Sequence, residues 1–232
     1  RRVSCEFGQR QRRRPPCCFC KPACIPPRPM PETGRAMPVI LPEPATVHVS
    51  NQAAQGRWSD ITDQKNISEE LVSMDVFAAW FDHGNSPDSG SYAYIVVPDV
   101  TQEELIETCK NNRDIRIISN TSHLQAVSHL GLGMSQVAFY RAGETEVADG
   151  VTVGMDSQGM AMLRLQGNRV VELTVSDPSR KLSRLIVTLS GTYEGSGANF
   201  KTIRDVDHDD TLVIVDLPKG VLAGKSVTIR PN

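Results

Sequence analysis

The sequence predicts an all-β protein whose C-terminal half is an antiparallel β-sandwich. Beyond residue 113, about ten short apolar strands follow one another in about 120 residues, a density typical of a sandwich. Gly, Asp and Asn separate the strands, and no helical period of apolar residues occurs there. Leu163 and Leu165 alternate with Arg164 and Gln166, which indicates a strand that buries one face. The predicted strands are IRIIS, LQAVSH, SQVAFYRA, VTVGM, MAMLRL, RVVELTV, RLIVTL, FKTIR, TLVIV and SVTIR.

Residues 76–98 carry the strongest strand signal in the N-terminal half. Residues 76–81 are nearly all apolar, and residues 92–97 place apolar side chains on both faces of an extended chain. The loop between them, residues 83–91, is rich in Gly, Asn, Pro, Asp and Ser, which favour chain reversal. The pattern predicts a β-hairpin with both faces buried inside a larger β-structure.

Two shorter features precede this hairpin. Val47 and Val49 alternate in TVHVS and predict a strand, and Trp58 is predicted to anchor its segment beside Ile61. An alternative is that Trp58 and Trp80 stack on sugar rings, because an aromatic face complements the apolar face of a pyranose. Since each tryptophan lies beside other apolar residues, core packing is the favoured interpretation.

One α-helix is predicted after residue 98, as a connector between two β bodies. Thr101 and Glu104 form a capping-box pattern, and Val100 and Leu105 occupy the positions of a hydrophobic staple. The helix is expected to run to about residue 110, where asparagines can end it. Its predicted buried stripe consists of Leu105, Ile106 and Cys109.

Residues 1–41 are predicted to be a disordered segment that is not native to the fold. Residues 1–38 contain Arg, Pro and Cys in excess and have no apolar period, so they cannot bury enough surface to offset the entropy of ordering. Such a composition is what GC-rich coding DNA yields when it is translated out of frame. We therefore leave this segment out of the fold prediction.

The cysteines of this segment are a candidate zinc site. Cys17 and Cys20 have the CxxC spacing and Cys24 follows, but a tetrahedral site needs a fourth ligand. The remaining candidates are the adjacent Cys18 and the distant Cys5, so no metal site is predicted.

The remainder of the chain is acidic and contains one cysteine, Cys109. Residues 1–35 hold nine basic and two acidic residues, which leaves the other 197 with sixteen basic and twenty-five acidic residues. An acidic body argues against nucleic acid and anionic membrane surfaces as partners. No apolar run long enough to span a membrane occurs, and the body is expected to gain nothing from disulfides.

Three polar groups are weighed as sites and none is adopted. His83 beside Asp82 lacks a third ligand or a nucleophile, so a turn histidine bonded to neighbouring backbone is favoured. The acidic run DVDHDD at 205–210 lacks the Gly and the Glu of a calcium loop. A solvated face is favoured over an anionic-glycan contact for the basic cluster. That cluster consists of Arg180, Lys181 and Arg184.

Four segments stand in a fixed order along the chain. They are WFDHGNSPDSGSYAYIVVP, IRIISNTSHLQAV, LTVSDPS and DLPKGVLAGKSVTI. Together they resemble the bacterial polysaccharide lyases that cleave hyaluronan, chondroitin or xanthan, which form polysaccharide lyase family 8. The resemblance implies that residues 42–112 are the end of a central β-supersandwich. It also implies that residues 113–232 are the C-terminal β-sandwich.

The resemblance further implies a reaction and where it occurs. The family removes the proton α to a uronate carboxylate and expels the C4 glycosidic oxygen, without a cofactor. Its catalytic Asn, His, Tyr and Arg lie in a large N-terminal helical toroid, and nothing in this sequence is long or helical enough to match that toroid. We therefore assign no catalytic residue and no sugar-contacting residue to this chain. The expected partners are the missing catalytic domain and, through it, the polysaccharide.

Two functions remain open at this point. One is the C-terminal portion of a secreted or extracellular polysaccharide lyase, although the basic start here is not followed by the apolar segment of a signal peptide. The other is a free-standing carbohydrate-binding or adhesive β-sandwich, since sandwich folds host many functions. A helical region of several hundred residues encoded directly upstream would favour the lyase.

Overall fold

The structure, a computed structural model, describes residues 23–25, 38–43, 45–111 and 114–232. Contacts between residues divide the chain into an N-terminal unit, residues 1–112, and a C-terminal unit, residues 113–232. Strands dominate both units, and the described residues contain one α-helix. The prediction of an all-β fold with one short helix is therefore confirmed.

The described residues of the N-terminal unit form two antiparallel sheets. Its strands are β1 (Ala23–Ile25), β2 (Val39–Leu41), β3 (Val47–Gly56), β4 (Val72–Phe81) and β5 (Ile95–Val96). The first sheet has the order β1, β2, β5, and the second is a two-stranded ribbon of β3 and β4. The predicted strand at Val47 and Val49 is therefore confirmed as the start of β3.

The predicted hairpin of residues 76–98 is wrong. β4 pairs with β3, from Val47 opposite Phe81 to Gly56 opposite Val72, whereas β5 pairs with β2 in the other sheet. The intervening loop does bring the chain back on itself, because the rings of Phe81 and Tyr92 lie 5.1 Å apart, and its Asp82 carboxylate accepts a hydrogen bond from the Gly84 backbone N–H at 2.8 Å. Turn residues therefore identified the reversal correctly, but strand pairing was decided by a partner upstream in the sequence.

The ribbon of β3 and β4 exposes apolar side chains on both faces. Val76 is 42% exposed, Phe77 on the opposite face is 40% exposed, and Trp80 is 47% exposed. The prediction of two buried faces is wrong for the described residues, because a two-stranded ribbon has no second layer to cover either face. Core packing is likewise wrong for Trp58 and Ile61, which are 56% and 73% exposed.

The predicted helix is confirmed as α1 (Gln102–Asn111). The Thr101 backbone N–H donates to Glu104 Oε2 at 2.7 Å, and the Glu104 N–H donates to the Thr101 hydroxyl at 3.2 Å, which completes the capping box. Leu105 and Cys109 are buried against Ile40, with Ile95, Val97 and Val100 packed around them, whereas Ile106 is half-buried and lies outside this cluster.

Two expectations about the N-terminal unit need correction. The prediction of disorder over residues 1–41 is wrong for β1 and β2. These two strands pair with each other, with Ala23 opposite Leu41. Cys109 is disulfide-bonded, so the expectation that the body gains nothing from disulfides is also wrong. Its partner lies outside the described side chains, as do the cysteines that were weighed as a zinc site.

The C-terminal unit is a sandwich of two six-stranded antiparallel sheets. Its strands are β6 (Ile115–Asn120), β7 (Leu124–His129), β8 (Met134–Phe139), β9 (Gly143–Ala148), β10 (Val151–Met155), β11 (Gly159–Gln166), β12 (Arg169–Ser176), β13 (Arg184–Ser190), β14 (Ser196–Gly197), β15 (Phe200–Asp205), β16 (Asp210–Asp216) and β17 (Val227–Ile229). The sheet orders are β14-β15-β16-β13-β10-β9 and β17-β12-β11-β8-β7-β6. All ten predicted strands are present, and the two that were missed are β9 and β14.

Alternate side chains of these strands form one continuous core between the sheets. Leu163 and Leu173 of one sheet and Leu185 and Leu189 of the other are fully buried. Burial of a leucine side chain stabilises the folded state by about 1.5–3 kcal/mol, so this core is the main source of stability in the unit.

The segment LTVSDPS contains a buried carboxylate, Asp177, that organises the loop between β12 and β13. Asp177 accepts hydrogen bonds from the backbone N–H groups of Ser179, Lys181 and Leu182 at 2.9, 2.8 and 2.7 Å. It also accepts one from the Ser179 hydroxyl at 2.6 Å. Burial raises the pKa of Asp177, but these hydrogen bonds outweigh that effect and hold its pKa below the ordinary value of 3.8.

We expect the exposed ribbon of β3 and β4 to cause self-association that depends on protein concentration. Its uncovered apolar faces and open strand edges favour pairing with another chain. Size-exclusion chromatography of the full chain should show oligomers, and Val76→Lys should reduce them because a charge would then have to be buried. A chain of residues 112–232 should remain monomeric. A full chain that is monomeric at all concentrations would contradict the expectation.

We expect Asp177→Ala to destabilise the C-terminal unit by about 2–4 kcal/mol, because three backbone N–H groups lose a charged acceptor. The folded-state pKa is lowered, so this stabilisation is complete above pH 3.8 and is lost as the pH falls through the folded pKa. Urea unfolding at neutral and acidic pH measures both effects. The exposed Asp207→Ala is the matched control, and an equal effect of both substitutions would contradict the role of Asp177.

Candidate functional site

The C-terminal unit contains an open cleft with a volume of about 770 Å³. It lies where three turns meet: residues 130–133 between β7 and β8, residues 149–150 between β9 and β10, and residues 167–168 between β11 and β12. The edge strand β6 forms a further side. We call this space the turn cleft. It is the candidate site because concave surfaces with convergent polar groups are where small ligands bind.

Two buried serines in the turn cleft connect the sheets. The Ser128 hydroxyl donates to the Val147 carbonyl of the opposite sheet at 2.8 Å, and its oxygen lies 2.8 Å from the Ser135 hydroxyl. Because Ser128 has one hydrogen and gives it to Val147, Ser135 donates to Ser128. Both serines are satisfied internally, so they stabilise the cleft and are not free to bind a ligand.

Arg116 lies beside these serines on the neighbouring strand β6, at the edge of the sheet. Arg116 lies opposite Ser128, which lies opposite Ser135, so the three side chains share one face. That face is buried at the serines, but Arg116 is exposed because it stands on the edge strand. Within the described part of the chain, its guanidinium has no hydrogen-bond or ion-pair partner.

The turn of residues 130–133 supplies a histidine and two apolar side chains. His129 Nδ1 accepts a hydrogen bond from the Leu132 backbone N–H at 3.3 Å, so the neutral ring carries its proton on Nε2. Leu130 and Leu132 are exposed at the cleft. Gly133 has a φ of 58°, and a side chain there would meet the Leu165 carbonyl. Glycine therefore allows this turn to approach the end of β11.

The opposite side of the turn cleft carries hydrogen-bond acceptors and amides. Glu146 Oε1 accepts a hydrogen bond from the Gly150 backbone N–H at 2.8 Å, which fixes the turn after β9. Asp149, Gln166 and Asn168 also line the cleft and are exposed. The rim thus combines one arginine, two carboxylates and two amides around a partly apolar floor.

Several ring side chains of the N-terminal unit stack on one another. The Trp80 ring lies 5.5 Å from the His48 ring, at 17° between planes. Tyr92 lies 5.1 Å from Phe81 and 6.2 Å from Tyr94, measured between ring centres.

His83 is exposed in the loop after β4, and its ring lies 6.1 Å from that of Tyr92. No hydrogen bond joins His83 to neighbouring backbone within the described residues, so that part of its prediction is wrong.

The basic cluster lies at the surface, and its interpretation as a solvated face stays a prediction. All three side chains are exposed, and Arg184 pairs with Asp216 at 2.9 Å, which leaves less charge for an anionic ligand.

In the acidic run, Asp205 pairs with His208 at 2.9 Å. The hydrogen bond and the charge of Asp205 raise the pKa of His208.

Two carboxylates of the acidic run are engaged with internal partners, Asp205 with His208 and Asp209 with Arg204. A cation would have to compete with these partners. Within the described residues, no three His, Cys, Asp or Glu side chains are grouped to hold a metal ion.

No described helix is long and apolar enough to cross a membrane.

The sequence analysis missed the turn cleft. Each of its turns contains a glycine that the sequence does show, at Gly131, Gly133, Gly150 and Gly167. These glycines predict turns one at a time. That the turns converge on one end of the sandwich follows from the pairing of β8 with β11 and from the packing of the two sheets, which the local sequence does not encode.

Comparison with known families matches both units of the chain. Residues 33–109 match the super-sandwich domain of polysaccharide lyase family 8, and residues 116–186 match its C-terminal β-sandwich domain. The first match begins before the predicted boundary at residue 42. The matched regions contain the segment WFDHGNSPDSGSYAYIVVP of residues 80–98, most of α1 and most of the strands that line the turn cleft.

Curated relatives cover most of this chain. Chondroitinase-AC of Pedobacter heparinus is 31% identical over 196 residues, which are 84% of this chain and 25% of the relative. Xanthan lyase of Bacillus sp. strain GL1 is 28% identical over 72% of this chain and 18% of its own length. Hyaluronate lyase of Thermasporomyces composti is 29% identical over 75% of this chain and 22% of its own length. The chain thus spans about a quarter or less of these relatives.

Solved structures agree with these matches. Chondroitinase AC lyase, solved in complexes with oligosaccharides, matches this chain with a TM-score of 0.65 and 29% sequence identity. The match covers 83% of this chain and 26% of the lyase chain. Paenibacillus xanthan lyase matches with a TM-score of 0.70 at 23% sequence identity. This match covers 85% of this chain and 19% of the xanthan lyase chain, and it shows a shared fold. Together, the two matched domains and the shared fold show that the chain belongs to polysaccharide lyase family 8.

Proposed function

We propose that this chain is the C-terminal part of a lyase that cleaves uronate-containing polysaccharides by β-elimination. The substrate class is of the hyaluronan, chondroitin or xanthan type, after the names of the relatives. The catalytic helical domain lies outside this chain, which spans about a quarter or less of those relatives. In this proposal the chain supplies β-structure to the enzyme and contributes no catalytic residue.

The observation that carries the proposal is the uncovered ribbon of β3 and β4. Its residues fall within the match to the super-sandwich domain, yet Val76 and Phe77 expose apolar surface on opposite faces. A strand pair of this kind is stable within a larger sheet that a second layer covers. The rest of the parent enzyme would supply both the additional strands and the covering layer.

The chemistry of the reaction also supports a catalytic site that lies in the helical domain and not in this chain. β-Elimination at a uronate needs a group that neutralises the carboxylate, a base for the α proton and an acid for the leaving oxygen, all placed around one sugar ring. His83 and Asp82 are exposed in a turn, and Asp82 is engaged with the Gly84 backbone. We therefore assign all three roles to the helical domain.

A free-standing carbohydrate-binding module is the second candidate, and the turn cleft favours it. The C-terminal unit closes its own core and carries a cleft with polar and apolar walls, which such a module requires. The DNA upstream distinguishes the two candidates. An in-frame helical region of several hundred residues supports the lyase, and an unrelated gene supports the module.

We also infer that the parent enzyme is exported from the cell. Its proposed substrates are polymers that do not cross a membrane, so a lyase must meet them outside. A fusion of the full-length gene to a reporter that is active only outside the cytoplasm would test this inference.

We expect the chain alone to have no lyase activity on hyaluronan, chondroitin or xanthan, because it lacks the groups that the elimination needs. The measurement is ultraviolet absorbance of the unsaturated product over time, with heat-treated protein as the control. A longer expressed chain that includes the upstream helical region should restore activity on at least one polymer. Activity of the short chain, in protein free of contaminating lyase, would overturn the assignment of catalysis to the helical domain.

A further inference from the structure

The turn cleft contains a charged group that the fold itself does not use. Arg116 faces the same way as the buried Ser128 and Ser135, but it makes no ion pair with any described residue. Other arginines of the unit form ion pairs, namely Arg184 with Asp216, Arg204 with Asp209 and Arg230 with Glu172. An unpaired arginine at the mouth of a cleft is a candidate ligand group.

We propose that the turn cleft binds a short oligosaccharide that carries a carboxylate, with that carboxylate on Arg116. The choice of a uronate-containing glycan rests on the proposed function, whereas the site rests on the geometry of the C-terminal unit. A guanidinium binds a carboxylate through two parallel hydrogen bonds, which gives direction as well as attraction.

The size and the floor of the turn cleft fit a few linked sugar rings. Its volume of about 770 Å³ lies within the range of small-molecule sites, which is roughly 300–1,000 Å³. Leu130 and Leu132 are exposed at its edge, and Ile118 and Leu165 also line it. Apolar side chains of this kind can cover the C–H face of a pyranose while its hydroxyls point to the rim.

The rim supplies partners for the sugar hydroxyls. Asp149 is an exposed carboxylate, and Glu146 has one oxygen beyond the one bonded to Gly150. These oxygens accept hydrogen bonds from hydroxyls, and the amides of Gln166 and Asn168 can donate as well as accept. The site therefore offers a cation for a carboxylate and acceptors for neutral hydroxyl groups.

The charge distribution selects against dense polyanions. One arginine faces two carboxylates in the turn cleft, so a nucleic acid with a phosphate at every residue would be repelled. A glycan with one carboxylate in each repeat would place that group at Arg116 and neutral rings beside the acids. The C-terminal unit as a whole has thirteen basic and thirteen acidic residues, so it does not repel such a glycan.

Titration of the ¹⁵N-labelled full chain with a hyaluronan hexasaccharide tests the proposal. Amide shifts should change in residues 116–118, 129–133 and 146–149, and saturation should occur in the micromolar to millimolar range. Arg116→Gln should weaken this binding about tenfold or more, which corresponds to loss of a charged contact. The matched control is Arg141→Gln, an exposed arginine that does not line the turn cleft, and it should leave binding unchanged.

A neutral chitin hexasaccharide separates the contribution of charge from that of ring contacts. It should bind more weakly, with the same affinity for Arg116→Gln as for the unaltered chain, whereas Asp149→Asn should weaken binding of both sugars. Because Arg116 has no described partner, Arg116→Gln should also leave the thermal midpoint unchanged, which separates lost binding from lost folding.

Three results would overturn the proposal. They are no shift changes with either sugar, shift changes outside the turn cleft, and equal weakening by Arg116→Gln and Arg141→Gln. The last result would indicate general attraction between charges. None of these results alters the lyase assays above, so failure of the binding site and failure of the proposed function are distinguishable.

Discussion

A β-sheet with apolar side chains is stable in water when a second layer covers its apolar face, and this constraint explains both units of the chain. The C-terminal unit satisfies it internally, because two six-stranded sheets bury Leu163, Leu173, Leu185 and Leu189 between them. The ribbon of β3 and β4 does not satisfy it within the described residues, since both of its faces are exposed. The same constraint therefore explains why the C-terminal sandwich, with its cleft, is stable by itself. It also explains why the ribbon of β3 and β4 needs a partner.

The features that depend on neighbouring residues were predictable from the sequence. The capping box of Thr101 and Glu104 lies within one turn, and both of its hydrogen bonds are present. Alternation of apolar residues predicted ten strands of the C-terminal unit. It missed β9, whose six residues GETEVA bury only Val147, and β14, which has two residues. In both cases too few apolar side chains were present to form a pattern.

The features that depend on distant residues were not predictable from the sequence. Turn residues after β4 suggested a hairpin, but pairing joined β4 to the upstream β3, because loop sequence marks a reversal without choosing the partner. Trp58 and Trp80 were assigned to a core from their apolar neighbours, although burial also requires a covering layer. The turn cleft combines three turns and an edge strand, and Arg116 becomes part of it only through its register opposite Ser128.

The central claim is that the C-terminal unit is complete by itself and the ribbon of β3 and β4 is not. Hydrogen–deuterium exchange of the full chain, at a concentration low enough for the monomer, tests it most directly. We predict slow exchange in the core strands of the C-terminal unit, such as β11 and β13, and fast exchange in β3 and β4. Equal protection of the ribbon and the sandwich in the monomer would contradict the claim.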